Sequence, residues 1–118
     1  MYNFSKLMGL ILILIFPLVA SGGQNQQAGN MKDLTSVEAG LLIKLDTGMP
    51  GNCAGSPYDY MLVREENKTL ISVTLALWIT EKKAVTVFTS GIPGGSGYGV
   101  YCVVNQVRPQ QTVIDNAT

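Results

Sequence analysis

Residues 68–80 read Lys68-Thr-Leu-Ile-Ser-Val-Thr-Leu-Ala-Leu-Trp-Ile-Thr80, and whether this run is a helix or a strand decides the fold. It alternates as a strand would, with Ile71, Val73, Leu75, Leu77 and Ile79 set against Ser72, Thr74, Ala76, Trp78 and Thr80. Its length argues the other way, since strands usually run 3–10 residues. Asn67 stands ahead of it at a favourable N-cap position, after Glu65 and Glu66, and Lys82 and Lys83 follow it, near the negative end of a helix dipole. Wound as a helix, the run aligns Leu70, Val73 and Leu77 beside Ile71, Leu75 and Trp78, a broad apolar face suited to lying on a sheet. The balance predicts a helix.

Working outward, the flanking segments read as strands. Gly40–Asp46 points Ile43 and Leu45 one way and Lys44 and Asp46 the other. Thr47–Asn52 is turn-forming, with two glycines and a proline. Tyr58–Val63 is a second strand candidate, and Ala84–Thr89 a third whose Val85, Val87 and Thr89 share one face. Ile92–Gly99 holds four glycines and a proline and is a loop. Val100–Val107 is the fourth strand, stopped by Pro109. The expectation is one α+β domain over residues 37–109. Residues 22–36, polar and without apolar periodicity, are expected to be a flexible leader. Residues 110–118 form a tail, in which Val113-Ile114 packs as a short terminal strand or frays.

The first 21 residues have the layout of a cleavable secretory signal: Lys6, an apolar run from Leu7 to Ala20, then the small residues Ser21, Gly22 and Gly23. The fourteen residues of that run, broken by Gly9 and Pro17 and rising 1.5 Å each, reach roughly 21 Å, short of a hydrocarbon core of about 30 Å. The expected location is therefore secreted or periplasmic, with no membrane association once the signal is removed.

Of the eight basic residues Lys6 belongs to the signal, leaving seven against eight acidic ones. That balance offers no attraction to nucleic acid or anionic lipid. Histidine is absent, which removes the usual proton shuttle and metal ligand, and no cofactor is implied. The two cysteines, Cys53 and Cys102, are most simply a disulfide in an exported chain. They lie 49 positions apart, a loop whose closure is worth roughly 4 kcal/mol in the chain-entropy picture.

Motifs for chemistry are sparse. Without histidine no Ser-His-acid triad is available, and Gly94–Gly99 has neither the P-loop lysine nor a strand-to-helix GxGxxG placement. Asp46, Asp59, Glu65, Glu66 and Glu81 would have to supply any hydrolytic carboxylate pair, and they read as solvated strand ends and helix flanks. The expectation is a protein that is not an enzyme. Aromatic residues are the surplus: Tyr58, Tyr60, Tyr98 and Tyr101 gather around two loops, where tyrosines stack on sugars or anchor a protein, or simply fill strand edges. Trp78 is a core residue or an interface residue between subunits.

The element order has a counterpart. A strand from Gly40, then Cys53, the helix Lys68–Ile79, the strand Lys82-Lys-Ala-Val-Thr-Val-Phe88 and the closing Tyr101-Cys-Val-Val-Asn-Gln-Val107 resemble the small secreted bacterial proteins with the B-subunit fold of AB5 toxins, the subtilase cytotoxin B-subunit type in particular. The resemblance spans residues 40–107 and lacks that family's second cysteine pair. It implies a small OB-like antiparallel sheet or partly open barrel with one packed helix, a pentamer, and glycan recognition through one face. No glycan-contacting residue of the family is matched here. The leading expectation is thus an exported, non-enzymatic binding module for a glycan or protein partner, oligomeric with itself. The alternative is a structural or inhibitory periplasmic protein whose tyrosines are merely packed.

Overall fold

A computed structural model describes residues 23–110. The proposed signal, residues 1–21, and the terminal Val113-Ile114 lie outside the described residues. Five strands and one helix follow in the order β1 (Gln26–Val37), β2 (Gly40–Leu45), β3 (Met61–Arg64), α1 (Lys68–Ile79), β4 (Ala84–Gly91) and β5 (Cys102–Pro109), with single 3-10 turns at Gly51–Cys53, Pro57–Asp59 and Gly97–Val100. The strands pair in the closed order β1-β2-β3-β5-β4, so the domain is a small α+β barrel with one packed helix. The order is OB-like. All pairings are antiparallel except β3 with β5, where Met61 and Leu62 run parallel to Cys102 and Val103.

The largest departure from the sequence reading is β1. Residues 22–36, expected as a flexible leader, contain most of the longest strand, which closes the barrel by changing partners. Gln26–Asn30 pair with β4, and Met31–Val37 pair with β2. A bulge between Met31 and Asp33 shifts the alternation, so Met31, opposite Leu45, and Leu34, opposite Ile43, both meet the core. Four apolar side chains spread over twelve residues, Ala28, Met31, Leu34 and Val37, are enough when both neighbouring strands are already apolar inside.

The interior is Met31, Ile43, Leu45, Met61, Val63, Val85, Val87 and Val104, each no more than 2% exposed. Each such side chain contributes on the order of 1.5–3 kcal/mol by leaving water. As the alternation required, Ile43 and Leu45 point in, and Val85, Val87 and Thr89 share the buried face of β4. Gly40 opens β2 at a φ of +146°, and any Cβ there would fall on the Val63 carbonyl of β3, so only glycine admits that approach.

Residues 68–79 are the helix the end signals pointed to. Leu70 and Thr74 are buried, and Ile71, Leu75, Leu77 and Trp78 pack partly on the core. The buried Thr74 hydroxyl is satisfied by donating to the Leu70 carbonyl, 2.8 Å away. Asn67 serves the first turn through its backbone carbonyl, which accepts from the Ile71 N–H, rather than through a side-chain cap. Two strand starts also move. Tyr58 and Asp59 are left-handed (φ 58° and 61°), so β3 begins at Met61, and a turn through Val100 delays β5 to Cys102. Among the described residues no helix is long and apolar enough to cross a membrane.

Candidate functional site

One end of the barrel carries the cross-link. Cys53, in the β2–β3 connection, and Cys102, the first residue of β5, form a disulfide with Cα atoms 5.1 Å apart and both side chains fully buried. Two polar devices hold the same end. Asn52 donates to the Thr89 carbonyl at 3.1 Å and accepts from the Thr89 hydroxyl at 2.6 Å. The buried Ser56 hydroxyl donates to the Tyr60 carbonyl at 2.8 Å and accepts from the Cys102 N–H at 3.3 Å. The loop carrying Tyr58 and Tyr60 and the start of β5 carrying Tyr101 are therefore fastened to each other.

The strand register turns that fastening into a surface. Asp33 of β1 lies opposite Lys44 of β2. One position further along the sheet, Ile43 faces Met61 and Met61 faces Cys102, which sets Tyr60 beside Lys44 and Tyr101 beside Tyr60. Met61 and Cys102 point inward, so their predecessors project outward. The result is a row across four neighbouring strands: Asp33, Lys44, Tyr60, Tyr101. Tyr98, from the glycine-rich loop, stacks on Tyr101 with ring centroids 6.2 Å apart and planes at 26°.

Contacts within the row are specific. The Tyr60 hydroxyl donates a hydrogen bond to Asp33 Oδ2, while Asp33 Oδ1 accepts from the Leu34 N–H at 2.9 Å. The Lys44 ammonium lies 5.5 Å from the Tyr60 ring centroid, within cation–π range. The hydrogen bond from Tyr60 holds the Asp33 carboxyl below its ordinary pKa, with help from the Leu34 N–H and Lys44. The same bond pushes the Tyr60 hydroxyl up.

Of the residues singled out from the sequence, Tyr60, Tyr98 and Tyr101 converge. Tyr58 sits beside them in the chain, 79% exposed in its left-handed turn. For a non-glycine residue that conformation costs roughly 1–2 kcal/mol. Trp78 stands apart on α1, where the Lys83 ammonium lies 4.1 Å from its ring centroid. Asp33 and Lys44 were not foreseen as site residues: one lay in the supposed leader and the other read as a solvent-facing strand position.

Two of the five carboxylates weighed for hydrolysis, Glu65 and Glu66, line one recess. Asp46 is held by the Asn30 backbone and side-chain amides at 2.9 and 3.1 Å, which depresses its pKa, and Glu65 lies 4.0 Å from Lys68. Among the described residues no three His, Cys, Asp or Glu side chains gather to hold a metal ion. A shallow recess adjoins Tyr98 under the glycine-rich loop, between Leu62, Arg64 and Pro93.

Compared with known proteins, the chain matches no family model, no curated protein and no solved structure.

Proposed function

We propose that this chain is an exported, non-enzymatic binding module that takes a glycan on the Asp33–Tyr101 row and its Tyr98 extension. The observation that carries the reading is the exposure of the aromatic surface beside the glycine-rich loop. Tyr98 is 37% exposed, Tyr58 79%, and Tyr60 and Tyr101 are half-buried, so none of the four tyrosines is spent on the core. Rings open on one side stack on the C–H faces of sugars, and the Asp33 carboxylate and Lys44 ammonium beside them are the acceptor and donor that hydroxyl groups need. In OB-type barrels the face of strands 2 and 3 and the β4–β5 loop serve oligosaccharides and oligonucleotides. An even charge balance favours the sugar.

Export is supported by the signal-like amino terminus and by the buried disulfide, which persists in oxidising compartments. The AB5-type resemblance adds self-association. The helix supports it with Ile79, 71% exposed. A purely structural role suits Tyr60, whose hydroxyl and ring are engaged by Asp33 and Lys44, but leaves the exposed Tyr58 without use.

The test is a glycan array probed with the mature protein, alongside light scattering for the mass in solution. Binding abolished by Tyr101→Ala in a folded variant is the expected result. A silent array at millimolar-equivalent sensitivity would overturn glycan recognition, and a monomeric mass would overturn the pentamer.

A further inference from the structure

We infer that the recess beneath the glycine-rich loop is a second subsite of the same face, shaped for the acetamido group of an N-acetylated amino sugar. This rests on the glycan reading of the tyrosine row and extends it.

Leu62 is the starting point. Its neighbours Met61 and Val63 point into the barrel, so Leu62 points outward, yet it is only 3% exposed. Beside it the β4–β5 loop borders a recess lined by Leu62, Pro93 and Tyr98 together with Arg64, Glu65 and Glu66. The loop is held in that shape by Gly94, whose N–H donates to the Gly99 carbonyl at 2.8 Å. Any Cβ on Gly99 would fall on the Gly94 carbonyl, so this closure requires glycine.

A lining that joins apolar side chains to a guanidinium and carboxylates suits a small planar amide. An acetamido substituent carries a methyl, a carbonyl acceptor and an N–H donor. The methyl fits against Leu62, Pro93 and the Tyr98 edge, the Arg64 guanidinium donates to the carbonyl, and a carboxylate accepts from the N–H. Glu65 is already near Lys68 at 4.0 Å, whereas no ion pair among the described residues engages Glu66, so Glu66 is the acceptor. A plain hydroxyl at that position would satisfy one polar partner and leave the apolar side chains wet.

Length follows from the row. From Asp33 on β1 to Tyr101 on β5 the surface crosses three strand intervals, about 14 Å at the usual inter-strand spacing. That is longer than one sugar ring. Since Tyr98 borders both the row and the recess, the ligand is an oligosaccharide laid across the strands with an acetamido group seated under the loop.

N-acetylglucosamine oligomers of one to four units, and cello-oligosaccharides of the same lengths, are titrated into the full mature protein and followed by amide NMR. The acetylated series is expected to bind about tenfold tighter at equal length, as one added charge-assisted hydrogen bond supplies, and to shift Leu62 and Gly99. Arg64→Ala, with Glu66→Gln as a second variant, should weaken the acetylated series more than the cello-oligosaccharides and so narrow that difference. Equal affinity of the two series, with row signals moving and the recess silent, would overturn the subsite and leave the row intact. If neither series moves Tyr60 or Tyr101, the row falls as a site for these sugars and the subsite falls with it.

Discussion

The two ends of the barrel are held by different physics. At the end where β3 and β5 begin, the Cys53–Cys102 disulfide, the Asn52–Thr89 pair and the Ser56 bridge fix backbone positions to each other through covalent and directional bonds. At the opposite end, where α1 leaves β3 and returns to β4, the cover is an apolar helix resting on the core through Leu70, with Ile79 in solvent. Directional bonds hold atoms in register, whereas hydrophobic contact holds only area. The candidate site lies at the first end, where the Tyr60 carbonyl accepts from Ser56 and Tyr101 directly precedes the cross-linked Cys102.

The sharpest way to break this contrast is to remove the cross-link. The double variant Cys53→Ala, Cys102→Ala frees a loop of 49 residues' separation and should cost about 4 kcal/mol by loop-closure entropy. Urea denaturation measures the loss. Ring signals of Tyr60 and Tyr101 should broaden or move together in the same variant. A domain that loses the stability but keeps both signals in place would show that the disulfide does not position the row.

Leu70→Ala asks the same question of the helix end. Truncating a side chain 8% exposed should cost about 2–3 kcal/mol, from lost burial and the cavity left behind. In contrast to the cysteine variant, the Tyr60–Asp33 contact should survive unchanged in the NMR spectrum of the folded protein. Coupling of Leu70 to the tyrosine signals would dissolve the distinction between the ends. A smaller loss is expected from Thr89→Val at the cross-linked end. It removes the hydroxyl that donates to Asn52 and leaves a half-buried acceptor short of a partner, about 1 kcal/mol by denaturation.

How much of this was legible follows from the range of each signal. Local signals sufficed for α1, where chain length, Asn67 and the trailing lysines outweighed a strand-like alternation, and for β4, whose period of two is unbroken. They failed for β1 because its fold-specifying information is non-local. Met31 and Leu34 are three residues apart, a spacing that becomes a single inward face only with the bulge between Met31 and Asp33. The candidate site divides the same way. Its tyrosines stand out as an aromatic surplus near loops, but Asp33 and Lys44 join them solely through cross-strand register, and register is unreadable where residues 22–36 carry no strand signal of their own. The parallel β3–β5 pairing that brings Tyr101 beside Tyr60 joins segments some forty positions apart, which no local pattern encodes.

The smallest expected effect tests the row from within. Tyr60 hydrogen-bonds to Asp33 and depresses its carboxyl pKa, so the bond's contribution is intact above the ordinary carboxylate value of about 3.9 and is lost as pH falls through the lowered one. Tyr60 is the mirror case. Its pKa is raised, so the contribution holds below the ordinary tyrosine value of about 10 and is lost as pH rises through the raised one. Because the pair is solvent-accessible, global stability should barely respond across the neutral range, and the effect belongs to the titration itself. Asp33→Asn retains an acceptor for the hydroxyl but removes the negative charge, so Tyr60 should ionise at lower pH in the variant, as followed by the ring-carbon shift of a tyrosine-labelled sample. An unchanged Tyr60 titration would mean that Asp33 does not govern this ring. The row would then be four neighbouring side chains rather than one connected surface.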